Sequence, residues 1–192
     1  MYKTPRLIVA SATLSLIAAM SACSTTSPNT PSDARAERQT IDAEVDGALS
    51  KLRTQTPSSE ELLRRARGVL VFPKVVSAGF VVGGSYGKGE LRVRGQTVGY
   101  YSTAAASIGL LAGAESKAVY ILFMTDEALQ KFQASKGWTA GADASVSVYK
   151  AGASANIDTQ TAQQPIVGYV LTNVGLMADV SIDGTKITRL DL

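Results

Sequence analysis

Two periodicities divide the chain. In residues 33–54 apolar side chains fall at Ile41, Val45, Ala48 and Leu52, the i, i+4, i+7, i+11 spacing of one helical face. From Val69 onward the pattern changes to short β-branched and aromatic runs broken by glycine. These runs predict strands at 69–72, 75–86, 90–100, 104–111 and 117–123, and again at 141–149, 152–158, 165–172, 175–182 and 185–190. Pro73 has no amide hydrogen for a sheet ladder and marks a strand end or an edge. Gly79, Gly83, Gly84, Gly87 and Gly89 stand inside strand-like sequence, where missing side chains signal bulges, bends or close backbone approach. Gly87-Lys88-Gly89 and Arg94-Gly95-Gln96 fit hairpin connections, and Asp183-Gly184 before Ile187 is a strong hairpin signal. The expectation is an α+β fold: a strongly curved antiparallel β-sheet, barrel-like or sandwich-like, with N-terminal helices and one short inserted helix.

Two short helices carry their own start signals. Pro57-Ser58-Ser59-Glu60-Glu61 opens one, with Ser58 and Glu61 at capping-box spacing and Leu62, Leu63 and Ala66 as its apolar face. Arg64, Arg65 and Arg67 sit at its C-terminal end. The helix dipole favours cations there, which explains them without any ligand; a site for lipid headgroups, with Lys74 as a fourth member, is the functional reading. Thr125 caps the second helix, in which Asp126 and Glu127 suit the first turn and Leu129 and Phe132 face the core.

The N-terminus is read as a targeting segment. Lys3 and Arg6 precede a 14-residue apolar stretch, 7–20, which falls short of the ~20 residues that span a bilayer as a helix. Met20-Ser21-Ala22-Cys23 resembles a bacterial lipobox; an ordinary cleaved signal with an incidental cysteine is the plainer alternative. Cys23 is the only cysteine, so a disulfide within the chain is excluded, and lipidation gives it a role. The lipobox resemblance implies a diacylglycerol thioether on Cys23, a firm anchor of several acyl chains. Ser24 at the next position implies the outer membrane. The organisation expected is a signal peptide at 1–22, a Ser/Thr/Pro-rich tether at 23–32 and one domain at 33–192.

Charge sharpens this picture. The net charge of +3 includes Lys3 and Arg6; without them 17 basic residues face 16 acidic ones, so no global basic character argues for nucleic acid. Residues 51–94 carry nine basic residues against Glu60, Glu61 and Glu90, while 95–114 carry no charge. That uncharged stretch is too polar and too rich in glycine for a membrane span and reads as sheet core. With no histidine, Ser-His and Cys-His nucleophilic sites are excluded and the commonest metal ligand is missing. Gly87-Lys88 fails the Walker A spacing, and Gly84-x-x-Gly87-x-Gly89 fails the dinucleotide fingerprint. The sequence therefore predicts no enzyme, no cofactor, no metal and no nucleic-acid partner.

The longest ordered signal is a series of motifs. It runs Ala66-x-Gly68-Val69-Leu70-Val71-Phe72-Pro73, Gly79-Phe80, then Gly83-Gly84-x-Tyr86-Gly87-x-Gly89-x-Leu91. Gly99-Tyr100-Tyr101, Ser107-x-Gly109, Phe123-Met124-Thr125 and Trp138 follow, and Gly175-Leu176 with Val180-Ser181-x-x-Gly184-Thr185-x-Ile187 closes the series. It resembles the SYLF domain over residues 49–192. The resemblance implies lipid binding, since eukaryotic members bind phosphoinositide membranes, and a weaker precedent for actin binding in yeast members. Joined to the anchor, it predicts a lipid-anchored bacterial envelope protein whose domain binds phospholipid or anionic membrane surfaces. The alternative is a structural or interaction lipoprotein, with an envelope or host protein as partner and no lipid binding of its own.

Overall fold

A computed structural model of the protein describes residues 30–79, 82–108, 113–149, 164–172, 175–176 and 181–192. The expected signal segment, Cys23, most of the expected tether and the expected strand at 152–158 lie outside the described residues. Helix α1 (Pro31–Gln55) is followed by α2 (Ser59–Arg65) and strands β1 (Gly68–Gly79), β2 (Val82–Val93), β3 (Gln96–Ile108) and β4 (Gly113–Phe123). Helix α3 (Asp126–Ala134), β5 (Trp138–Thr139), β6 (Ser147–Val148), β7 (Ile166–Leu171) and β8 (Lys186–Leu190) complete the order. All eight strands form one sheet in the order β5-β8-β3-β2-β1-β4-β7-β6.

Chain length forces this sheet to curl. Its edges are β5 and β6, joined by residues 140–146. Eight strands laid flat at ~4.8 Å spacing would span roughly 34 Å. The eight residue-to-residue steps from Thr139 to Ser147 reach at most about 29 Å when fully extended, and part of that length is spent in a turn where Gly141 N–H bonds the Ala144 carbonyl. The sheet is therefore a half-barrel, as the glycine pattern predicts. The closing segment packs Ala144 and Val146 against Leu70, Phe72, Val75, Leu91, Tyr101, Val119 and Ile121, so that face is concave. Phe132 of α3 joins the same core, with ring centroids 4.8 Å from Phe123, 5.1 Å from Tyr101 and 5.6 Å from Trp138. The opposite face carries Val71, Tyr120, Leu122, Val167 and Tyr169, and α1 covers it with Ile41, Val45, Ala48, Leu49 and Leu52. The helical spacing read from the sequence gives the buried stripe of α1.

Several local expectations are corrected. Helix α1 begins at Pro31, inside the expected tether, because Thr30 caps it by accepting from the Asp33 amide. Pro73 does not end a strand: it lies within β1, between β2 and β4, where the register shifts on both sides. A bulge needs no ladder donor from its extra residue, so proline is tolerated there. The shift also places Phe72 and Val75, three residues apart, on one face and turns Lys74 to the other. Gly87-Lys88-Gly89 is not a turn but the middle of β2. A Cβ on Gly89 would overlap the Val71 carbonyl oxygen, and one on Gly87 would come within 2.8 Å of the Lys74 carbonyl oxygen, so these glycines let β2 cross close over the bulge. The run expected at 75–86 is split between β1 and β2 and that at 90–100 between β2 and β3, while β3 runs without a break from Gln96 to Ile108, joining 96–100 to the start of the run expected at 104–111.

Arg94-Gly95 is the hairpin turn expected, with φ of 54° and 80°, the type I′ signature. Asp183-Gly184 turns as expected, with the Thr185 amide on the Ile182 carbonyl, and the turn joins Ala140 through two backbone bonds; most of the strand expected at 175–182 lies outside the described residues, and 141–149 is a turn followed by the two-residue β6. Strand β6 pairs with β7 in parallel, so the sheet is not wholly antiparallel. Ser58 makes no side-chain cap bond, and the capping box at α2 is not formed.

Two buried tyrosines make a paired test of the helix-covered face. The Tyr120 hydroxyl donates to the Ala48 carbonyl at 2.8 Å and ties α1 to β4, whereas the Tyr169 hydroxyl is buried with no partner among the described residues. Tyr120→Phe is expected to cost about 1 kcal/mol and Tyr169→Phe to be neutral or stabilising by a similar amount, because a made bond and an unmet donor have opposite worth. Urea unfolding of the two variants checks both signs.

Candidate functional site

The topology gathers arginines at one end of the half-barrel. Arg53 lies in the last turn of α1, Arg64 and Arg65 in the last turn of α2, and Arg67 just before β1. Arg92 and Arg94 flank the start of the β2–β3 turn at the same end. Arg53, Arg64, Arg92 and Arg94 line one cleft of about 320 Å³, with Leu49, Leu63 and Val69 also in its lining. Lys74 is not part of this group. It sits seven residues beyond Arg67, roughly 20 Å along β1, and lines a second cleft with Lys51, Lys117 and Glu44.

Most of these arginines have carboxylate partners. Arg53 Nε lies 3.0 Å from Glu60, Arg64 Nη2 2.5 Å from Glu61, and Arg67 Nε 3.5 Å from Asp126. The Glu61 carboxyl is held below its ordinary range chiefly by its bond to Arg64. Arg65 and Arg94 have no carboxylate partner among the described residues, and both are exposed. Arg94 also holds a left-handed φ of 54°, uncommon for a residue with a Cβ. The type I′ turn therefore presents a guanidinium at a position that asparagine or glycine would fill more cheaply.

The wall of the cleft is fixed from behind by a network that the sequence reading missed. Glu90 is fully buried, and its Oε1 accepts from Arg92 Nε at 2.5 Å and its Oε2 from the Thr97 hydroxyl at 2.8 Å. Arg92 also donates to Asp46 at 2.6 Å, and Tyr100 donates to Asp42 at 2.8 Å. These contacts clamp α1 onto β2 and β3. Burial and the bond to Asp42 push the Tyr100 hydroxyl up to about 12. The visible signal was a charged pair, Glu90 and Arg92, alternating with Leu91 inside a strand.

Burial, reinforced by the neighbouring Asp42 carboxylate, raises the Glu90 carboxyl above its ordinary 4.5 against the opposing pull of Thr97 and Arg92. A carboxyl whose folded pKa exceeds its unfolded one takes up a proton on folding between the two values. Its contribution is greatest below 4.5 and is lost as the pH rises through the folded value. Glu90→Gln is expected to abolish that loss, so the stability difference between wild type and variant should change with pH above 4.5. Denaturant midpoints across pH 4–8 measure it; a flat difference would contradict the assignment.

No cluster of His, Cys, Asp and Glu fit to hold a metal occurs among the described residues. Among them, too, no helix is long and apolar enough to cross a membrane. Residues 104–191 match the family described as Ysc84, Las17-binding protein actin regulator. The SYLF resemblance is borne out over this second half of the chain, from within β3 to beyond β8. The arginine cleft lies outside the matched residues. No curated protein matches the chain.

Proposed function

We propose that this chain, with a second half matching the Ysc84 family, is a binding module for anionic phospholipid surfaces, held to the bacterial outer membrane by acyl chains on Cys23. The observation that carries the reading is the arginine end. Six guanidinium groups converge there, and Arg65 and Arg94 lack carboxylate partners among the described residues. Arginine clamps phosphate through two parallel hydrogen bonds, and each basic residue near an anionic surface contributes about 1 kcal/mol. The proposed headgroup residues are therefore Arg64, Arg65 and Arg67, joined by Arg94; Lys74 lies too far along β1 to share the same headgroup. The chemistry is recognition without catalysis.

The test is co-sedimentation of unacylated Cys23→Ser protein with vesicles. Binding to phosphatidylglycerol vesicles is expected, with weak binding to phosphatidylcholine and loss of binding in 0.5 M salt, where the screening length falls well below the ~8 Å of physiological solution. Equal binding to both lipids would contradict it.

An interaction lipoprotein without lipid binding draws on a different observation. Val76, Val82 and Tyr86 are 40 %, 71 % and 51 % exposed, and Val76 and Tyr86 are direct cross-strand neighbours. Protein binding, of the kind named in the family's description, would use such a face. Capture of an envelope partner together with failure to bind any vesicle would favour that reading.

A further inference from the structure

The concave face is not completely filled. Between the closing segment and the four long strands lies a cavity of about 230 Å³, remote from the arginine cleft in its lining. Phe72, Val75, Val119, Ile121 and Ile187 form its apolar wall. Register explains the arrangement. Lys117, Val75, Gly87, Thr103 and Ile187 make one cross-strand row on this face, and Glu115, Ser77, Ser85 and Ala105 make the next. The bulge at Pro73 sets that register.

Two polar groups in the cavity are unaccounted for. Ser77 is 8 % exposed and Thr103 is 4 % exposed, and neither hydroxyl has a hydrogen-bond partner among the described residues. Both residues line the cavity, so their hydroxyls are free to bond an oxygen of a guest molecule there. The volume exceeds the ~150 Å³ of an apolar cavity that holds benzene. At the mouth Lys117 stands with Glu115 and Asp183, so a carboxylate head would meet two like charges for one opposite charge.

We propose that this cavity binds a neutral single-chain amphipath, its hydrocarbon against Phe72, Val119 and Ile121 and its hydroxyl or ester oxygens on Ser77 and Thr103. The site is separate from the arginine end, so it does not depend on binding to bilayers. A monoacylglycerol or a fatty alcohol has the required chemistry. Ala105 reaches into the cavity from a half-exposed rim position, where a larger side chain obstructs the space without disturbing the core.

The experiment uses the full chain with Cys23→Ser and the neutral dye N-phenyl-1-naphthylamine, whose fluorescence rises in apolar sites. Saturable dye binding is expected, displaced by 1-monooctanoylglycerol at least tenfold more effectively than by octanoate. Thr103→Val keeps the side-chain shape, so it should leave dye binding intact and weaken the glyceride roughly five- to tenfold, the worth of one hydrogen bond. Ala105→Leu should abolish binding of dye and glyceride while leaving phosphatidylglycerol sedimentation unchanged. Absence of saturable dye binding, undiminished binding in Ala105→Leu, or octanoate competing as well as the glyceride would overturn the proposal.

Discussion

Arg92→Ala lowers the stability of the folded chain by about 3–5 kcal/mol at neutral pH, the cost of leaving a buried carboxylate without its partner. The Arg92 side chain is only 18 % exposed and Glu90 is fully buried, so solvent cannot replace the lost guanidinium. The same substitution removes the bond to Asp46 on α1 and frees the helix from β2. For a domain of this size the midpoint of thermal unfolding should fall by roughly 6–20 °C. The deficit should shrink in acid, because Glu90 escapes its cost by taking a proton. Glu90→Gln in the same background should restore part of the loss, since it keeps the shape and removes the charge. A midpoint unchanged in Arg92→Ala would show that the network does not fasten α1.

The two faces of the sheet differ in how far the sequence disclosed them. The stripe Ile41, Val45, Ala48 and Leu52 is legible because helical spacing is a local signal, and the burial of all four follows it. Thr125 and the Arg94-Gly95 turn are legible for the same reason: cap and turn chemistry act within a few residues. Pro73 and Gly87-Lys88-Gly89 misled because each is defined by its partner strand. The proline is tolerated only because β1 bulges, and Gly89 is required only because β2 passes over the Val71 carbonyl. Nothing in the local sequence separates a glycine that turns the chain from one that lets a neighbour approach.

The candidate site shows the same division. Arg64, Arg65 and Arg67 lie close together in the sequence, whereas Arg94 lies 27 residues beyond Arg67 and reaches the cleft only through the β2–β3 turn. Lys74 was grouped with the arginines because sequence distance suggested proximity; an extended strand carries it away. The cavity hydroxyls Ser77 and Thr103 gave no signal at all, since serine and threonine are common in solvated strands and only the curl of the sheet buries them.

The central claim is that the arginine end meets phosphate, and Arg65→Glu combined with Arg94→Glu tests it at the two guanidinium groups there that have no carboxylate partner among the described residues. Each reversal removes one attraction of about 1 kcal/mol and adds a comparable repulsion, so affinity for phosphatidylglycerol vesicles should fall at least about a hundredfold. Lys136→Glu with Lys186→Glu changes net charge equally on residues that lie outside the cleft and should cost less than about threefold by screening alone. Vesicle partitioning of the two double variants, at unchanged thermal midpoint, is the decisive measurement. Loss confined to the arginine pair is the predicted result; equal partitioning of the arginine pair and the wild type would contradict the account.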